Sequence, residues 1–156
     1  MIQRQTVKPI AIASDHRGVG LKARLTTWLL ANGYAVTDCG THSNAERVDA
    51  MDYALRLVAE IKASRSDFAV GLCGSGQMMA ITANRFPFIR ATLLHTHDES
   101  ASARQHGDAN ILVLGADCTD AAAAEDILKT FLETAALGDR YAARREKLAN
   151  LNPSEL

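Results

Sequence analysis

The segment Phe68-Ala69-Val70-Gly71-Leu72-Cys73-Gly74-Ser75-Gly76 leads from an apolar stretch into a thiol, and from the thiol into a glycine-flanked hydroxyl. The apolar stretch predicts a buried strand, the glycines a tight turn, and Gln77-Met78-Met79-Ala80 the start of a helix. A thiol so placed faces the open end of a sheet beside a helix N-terminus, a position that favours a thiolate and binds oxygen anions. A working thiol there makes the chain an enzyme. The alternative is a buried strand cysteine, inert as a small apolar residue. The glycines on both sides of Ser75 weigh against that alternative, because they let backbone amides approach a ligand closely. The segment lacks the lysine of a phosphate loop and is not a GxGxxG turn, so nucleotide binding has little support.

Three further groups carry reactive side chains. Ser14-Asp15-His16-Arg17-Gly18 follows an apolar run directly; either it serves a ligand, or Asp15 or Ser14 caps a helix and His16 is merely exposed. His106-Gly107-Asp108-Ala109-Asn110 precedes another apolar run; read alone, His106 is a helix C-terminal histidine with Gly107 as the stop. Arg140 and Arg144 share one helix face and suit a phosphate as forked donors, although a solvated basic helix gives the same pattern. His95 and His97 have no clear role from their context.

The elements that must position these groups alternate. Short apolar runs at 10–13, 34–37, 68–72, 89–94 and 110–114 predict five strands. Between them lie helical stripes: Leu21, Leu25, Trp28 and Leu29; Ala54, Leu57, Val58 and Ile61; Ala124, Ile127, Leu128 and Phe131. Asn32-Gly33 stops the first of these helices, Asp98 is the expected N-cap of a helix reaching about His106, and Asp139 or a neighbour that of a last helix over 140–151. The pattern predicts an α/β chain: a three-layer α/β/α sandwich around a five-stranded parallel, Rossmann-like sheet, with a C-terminal helix. Ligands of such sheets bind at the C-terminal strand ends, near the topological switch point.

One domain over 1–156, with flexible ends at 1–8 and 152–156, fits the length. Hydrophobic content of 47%, charged content of 22% and a net charge of -1 describe an ordinary soluble protein without an evident nucleic-acid or membrane partner. Cys39, Cys73 and Cys118 are an odd number without metal or CxxC spacing, which favours a reduced, cytoplasmic chain over a disulfide scaffold or a thiol redox protein.

Taken together, the ordered set Ser14-Asp15-His16-Arg17-Gly18, Asp38-Cys39-Gly40-Thr41, Cys73-Gly74-Ser75-Gly76, Ala83-Asn84-Arg85, Ile89-Arg90-Ala91, Ser102-Ala103-Arg104-Gln105-His106, Asp108-Ala109-Asn110 and Gly138-Asp139-Arg140 resembles a sugar-phosphate isomerase family. That family contains ribose-5-phosphate isomerase type B and the galactose-6-phosphate isomerase subunits. The resemblance implies aldose–ketose interconversion through an enediolate, with no metal or organic cofactor. It makes Cys73 the base, Ser75 a holder of enediolate oxygens where the family usually has threonine, and His106 the group that opens the furanose ring. Asp15, His16, Gly74, Gly76, Gln77, Met78, Gly107, Arg140 and Arg144 fall at its substrate- and phosphate-binding positions. It further implies a homodimer or homotetramer in which His106 enters the partner's site, and a place in pentose phosphate metabolism.

Three positions depart from the family pattern. Ala50-Met51 replaces a usual Tyr-Pro, Gly107 a usual asparagine, and Asp117 a usual arginine that reaches the phosphate. A lost charge-assisted contact costs ~1.5–3 kcal/mol before any repulsion by the new carboxylate. The substrate then need not be ribose 5-phosphate, and a member that binds a sugar phosphate without turnover is the alternative.

Overall fold

A computed structural model describes residues 8–155. Its five strands are β1 (Ile10–Ser14), β2 (Val36–Asp38), β3 (Ala69–Cys73), β4 (Ala91–Leu93) and β5 (Ile111–Gly115). They pair in parallel throughout, in the order β2-β1-β3-β5-β4. The helices are α1 (Val19–Ala31), α2 (Ala50–Lys62), α3 (Gln77–Ala83), α4 (His97–Gly107), α5 (Ala121–Glu133) and α6 (Asp139–Ala149).

Side chains alternate along each strand, so the sheet has two apolar faces. Ile10, Ile12, Val70, Leu72, Leu112 and Leu114 pack with residues of α1 and α5. Ala11, Ala13, Ala69, Cys73, Ile111 and Val113 pack with residues of α2 and α3. Cys73 therefore points to the α2–α3 side. The chain steps from β1 outward to β2 and then back across to β3, so the switch point lies between the C-terminal ends of β1 and β3. Asp15 follows the first of those ends and Gly74 the second, and Asp15 N–H donates to Leu72 O at 3.1 Å across the gap.

Several boundaries differ from the sequence reading for visible reasons. β3 runs one residue further than expected, and Cys73 is its last residue, paired in register with Gly115. β2 begins later than residue 34 because Tyr34 N–H still closes the end of α1 on Leu29 O, and the Tyr34 ring stacks on Trp28. β4 shrinks to three residues because Ile89 N–H turns back to Phe86 O, while the Asn84 amide brackets Ala91 N–H and C=O at 2.8 Å each. Asp98 is not the cap of α4. Thr96 Oγ1 accepts from Glu99 N–H at 3.2 Å and Glu99 Oε2 accepts from His95 N–H at 2.8 Å, a reciprocal arrangement that leaves Asp98 in the first turn. At α6 the N-cap is the neighbour Gly138, without a side-chain hydrogen bond, and Asp139 is the first helical residue, with φ +47°.

Of the ends expected to be flexible, residues 1–7 and 156 lie outside the described residues. Pro153–Glu155 forms one 3-10 turn, with Asn152 Oδ1 accepting from Ser154 N–H at 3.1 Å. Among the described residues, no helix is long and apolar enough to cross a membrane.

Candidate active site

Two loops build the site from the strand ends. After β1, Asp15 is only 6% exposed and its Oδ1 accepts from Arg17 N–H at 2.9 Å and Gly18 N–H at 3.2 Å. It thereby caps the 3-10 turn His16–Gly18 that leads into α1. The capping alternative for Asp15 is thus real, and it fixes the direction of the next two side chains. His16 is not merely exposed. Its Nδ1 accepts Val48 N–H at 3.2 Å, which leaves the proton of the neutral ring on Nε2.

After β3, the Gly76 amide donates to Cys73 Sγ at 3.1 Å. Gly76 sits at φ +79° before the first turn of α3, and Gln77 N–H donates to Ser75 Oγ at 3.3 Å. The amides of Gly76 and Gln77 thus engage Cys73 and Ser75. The loop after β5 clamps the turn, with Ala116 N–H on Cys73 O at 2.8 Å and Asp117 N–H on Gly74 O at 3.0 Å.

Between these loops and the start of α2 opens a cleft of about 640 Å³ lined by Asp15, His16, Arg17, Arg47, Val48, Asp49, Ala50 and Met78. Cys73 is 4% exposed and packs in one cluster with Tyr53, Met79 and Ala50, the last of which lines the cleft. Ser75, Gln77 and Met78 are exposed, and Met78 lines the cleft. Ala50 is small enough to leave the cleft open where the sequence lacks the usual ring. The other partly buried thiol, Cys39, is a poor rival: burial pushes it up, and the carboxylates of Glu60 and Asp38 add to that.

His106, Gly107, Arg140 and Arg144 are not in this cleft. α4 returns from the C-terminal to the N-terminal end of the sheet, where Asn110 N–H meets Arg90 O just before β5. β5 spans about 13 Å over its five residues; Cys73 is paired with Gly115 at its C-terminal end, whereas His106 precedes its N-terminal end. There its ring stacks on Tyr141 with centroids 4.4 Å apart and planes 2° from parallel. Arg140 and Arg144 flank the same ring, their guanidinium carbons 4.8 and 5.7 Å from its centroid, and Arg140 Nη2 donates to the Tyr141 hydroxyl at 2.9 Å.

Asp117 is beside Gly74, where Arg17 of the same chain engages it: Nη2 reaches Oδ2 at 2.5 Å and Nε reaches Oδ1 at 3.3 Å. Arg17, Arg47, Asp49 and Tyr141 were not assigned roles from the sequence. Arg17 stands inside the quoted Asp15-His16 segment, and Tyr141 is the aromatic between two arginines of one helix. Those were the available signals.

A family profile described as ribose/galactose isomerase matches residues 10–148. A solved ribose 5-phosphate isomerase from Thermotoga maritima superposes with TM-score 0.89 at 42% identity, covering 92% of this chain and 99% of that one. Ribose-5-phosphate isomerase B of Escherichia coli (strain K12) is 32% identical over 142 residues, 91% of this chain and 95% of its own length. The 4-deoxy-4-sulfo-D-erythrose isomerase of Clostridium sp. (strain MSTE9) is 31% identical over 125 residues, 80% of this chain and 79% of its own length. The chain belongs to the ribose/galactose isomerase family of sugar-phosphate isomerases.

Proposed function

We propose that this protein interconverts an aldose phosphate and its ketose through an enediolate, with Cys73 as the base and ribose 5-phosphate the first substrate to assay. The observation that carries the reading is the Gly76 N–H bond to Cys73 Sγ, which is the contact a sulfur needs to bear negative charge. The thiolate takes the proton from C2 of the open-chain aldose, and the electron pair moves to the carbonyl oxygen at C1. In the resulting enediolate the O2 proton passes to O1, the Cys73 thiol returns its proton to C1, and the carbonyl re-forms at C2, leaving the thiolate as it began. The Gly74–Gln77 turn and Ser75 hold the oxygens as charge develops on them, exchanging their present bonds for bonds to substrate. The neutral His16, with Nε2–H available, donates to substrate beside Asp15.

The ring-opening group and the two phosphate arginines come from a second copy of the chain. Their separation from Cys73 within one chain supports this, because one cleft cannot use both sets. The exposed side chains of Met51 and Leu55 on α2 and of Met78 and Ile81 on α3 support it too, since α2 and α3 pack together and Met78 also lines the cleft. A homodimer is the smallest assembly that completes the site.

The test is a panel of tetrose, pentose and hexose phosphates, with the 4-sulfo tetrose included because a relative acts on it. Solvent deuterium entering at C2 reports the base directly. Cys73→Ala should abolish both exchange and turnover, and full activity in that variant removes Cys73 from the mechanism. Mixing inactive Cys73→Ala and His106→Ala chains should restore a fraction of the activity, because one of the two sites in the hybrid dimer is intact. No recovery in verified hybrids counts against a shared site.

A further inference from the structure

The position that departs most sharply from the family pattern, Asp117, does not stand alone: Arg17 is its partner. Arg17 lies across Gly74: a Cβ at that glycine would come within 2.9 Å of Arg17 Nε and 2.8 Å of Asp117 Oδ2. The guanidinium meets the carboxylate side-on, through Nε and Nη2, so both carboxylate oxygens are used. This orientation spends the Nε N–H in a hydrogen bond and pairs Nη2 with the second carboxylate oxygen, which leaves the rest of the guanidinium N–H groups free. Among the described residues, the Arg17 side chain makes no other hydrogen bond. Both ends of the arrangement are fixed by backbone: Arg17 N–H on Asp15 Oδ1 at 2.9 Å, and Asp117 N–H on Gly74 O at 3.0 Å. The arginine is 57% exposed at the side chain and lines the same cleft as His16 and Arg47.

We propose that Arg17 binds the anionic end of the substrate at the mouth of the Cys73 cleft and that Asp117 is its positioning residue. A planar fork with free N–H groups matches the oxygens of a phosphate or sulfonate, and a carboxylate behind it fixes the plane before the ligand arrives. Asp117 then assists anion binding instead of opposing it, because its charge is already taken up by Arg17. Arg17 works together with Arg140 and Arg144 of the second copy on one oxyanion, and Gly74 is small so that the pair can lie over it. The inference rests on the isomerase reading for its substrate class.

Kinetics and calorimetry on single variants decide it. Arg17→Ala should raise KM for ribose 5-phosphate about ten- to a hundred-fold, with kcat changed far less. It should weaken binding of ribose 5-phosphate and of inorganic phosphate in titration calorimetry by a similar factor. Arg17→Lys should recover little, since an ammonium cannot make the side-on pair and present a fork as well. The sign of the Asp117 effect is the sharpest readout. Asp117→Ala should raise KM, although it removes a negative charge from the site. A KM lowered by Asp117→Ala, or unchanged in Arg17→Ala, overturns the proposal and leaves an ordinary surface ion pair. If no sugar phosphate is turned over, the isomerase reading fails by itself, and calorimetry still decides Arg17. Phosphosugar affinity that is absent in the wild type or equal in Arg17→Ala overturns it there.

Discussion

The amide of Gly76 reaches the Cys73 sulfur only because residue 76 sits at φ +79°, the left-handed conformation that turns the loop back over β3. A side chain at 76 is opposed twice. The backbone region costs about 1–2 kcal/mol for an ordinary residue, and a Cβ there would meet Leu93 and the backbone of Gly115. Gly76→Ala is expected to lower the urea midpoint and to cut turnover well beyond the loss of folded protein, because the donor to sulfur moves with the turn. Wild-type turnover per folded molecule would show that this bond does not matter.

The Tyr141 ring holds His106 by stacking and Arg140 by its hydroxyl, so the two contacts are separable. Tyr141→Phe keeps the ring and loses the hydroxyl; its KM should rise a few-fold with kcat unchanged. Tyr141→Ala frees the imidazole as well and should lower turnover of the cyclic sugar more than that of an open-chain analogue. Steady-state kinetics on both substrates checks the split.

The switch-point half of the site was legible from residue types, because a strand ending in Cys-Gly-Ser-Gly and another ending in Asp-His have few structural uses. The other half was legible only as motifs. Nothing local in His106, Arg140 or Arg144 says that α4 carries His106 to the far end of the sheet and that α6 brings Arg140 and Arg144 beside it; strand order and helix direction decide that. The cap of α4 is readable from Thr96 and Glu99, which have capping-box spacing, although the nearby Asp98 offers a competing cap side chain. The Arg17–Asp117 pair was out of reach, since it joins residues a hundred positions apart through the β1 and β5 loop ends.

Lys22 is buried at 4% exposure of its side chain, and its Nζ sits 2.5 Å from each oxygen of Asp38, which is 32% exposed. The asymmetry of exposure predicts an asymmetry of cost. Asp38→Ala strands a buried ammonium and should cost about 3–5 kcal/mol, the range for breaking a buried pair. Lys22→Met leaves a carboxylate that water can reach, and should cost clearly less. Urea denaturation of both variants measures the difference, and equal losses would refute the argument from exposure.

Burial raises the Cys39 thiol, and Glu60 and Asp38 push the same way against Arg56 and Lys22. A raised thiol carries less thiolate at any given pH, so its alkylation must lag behind that of an ordinary thiol and catch up only above about pH 8.5. At pH 7.5 iodoacetamide should label the exposed Cys118 first and Cys39 slowly. Raising the pH should narrow the gap, as followed by peptide mass spectrometry. A Cys39 that labels as fast as Cys118 at pH 7.5 contradicts the electrostatic reading.

Gly107 stands where the family usually has asparagine, yet nothing in the fold demands a glycine there. An added Cβ meets no heavy atom within 4 Å, and the residue is not among the glycines with positive φ. It ends α4 directly after His106, and the left-handed cap that follows is Asp108, not Gly107. Gly107→Asn should therefore fold with a stability within about 0.5 kcal/mol of the parent, as for a surface site free of special constraints. Any change must then appear in recognition. If Gly107 sits beside His106 in the partner's cleft, an amide there adds a donor and an acceptor for a sugar hydroxyl. The ratio of kcat/KM for ribose 5-phosphate over the other sugar phosphates should rise by about ten-fold for one well-placed hydrogen bond. An unchanged ratio in a fully folded variant would mean that residue 107 does not reach the sugar, and that the selectivity of this isomerase is set on the Ala50 side of the cleft.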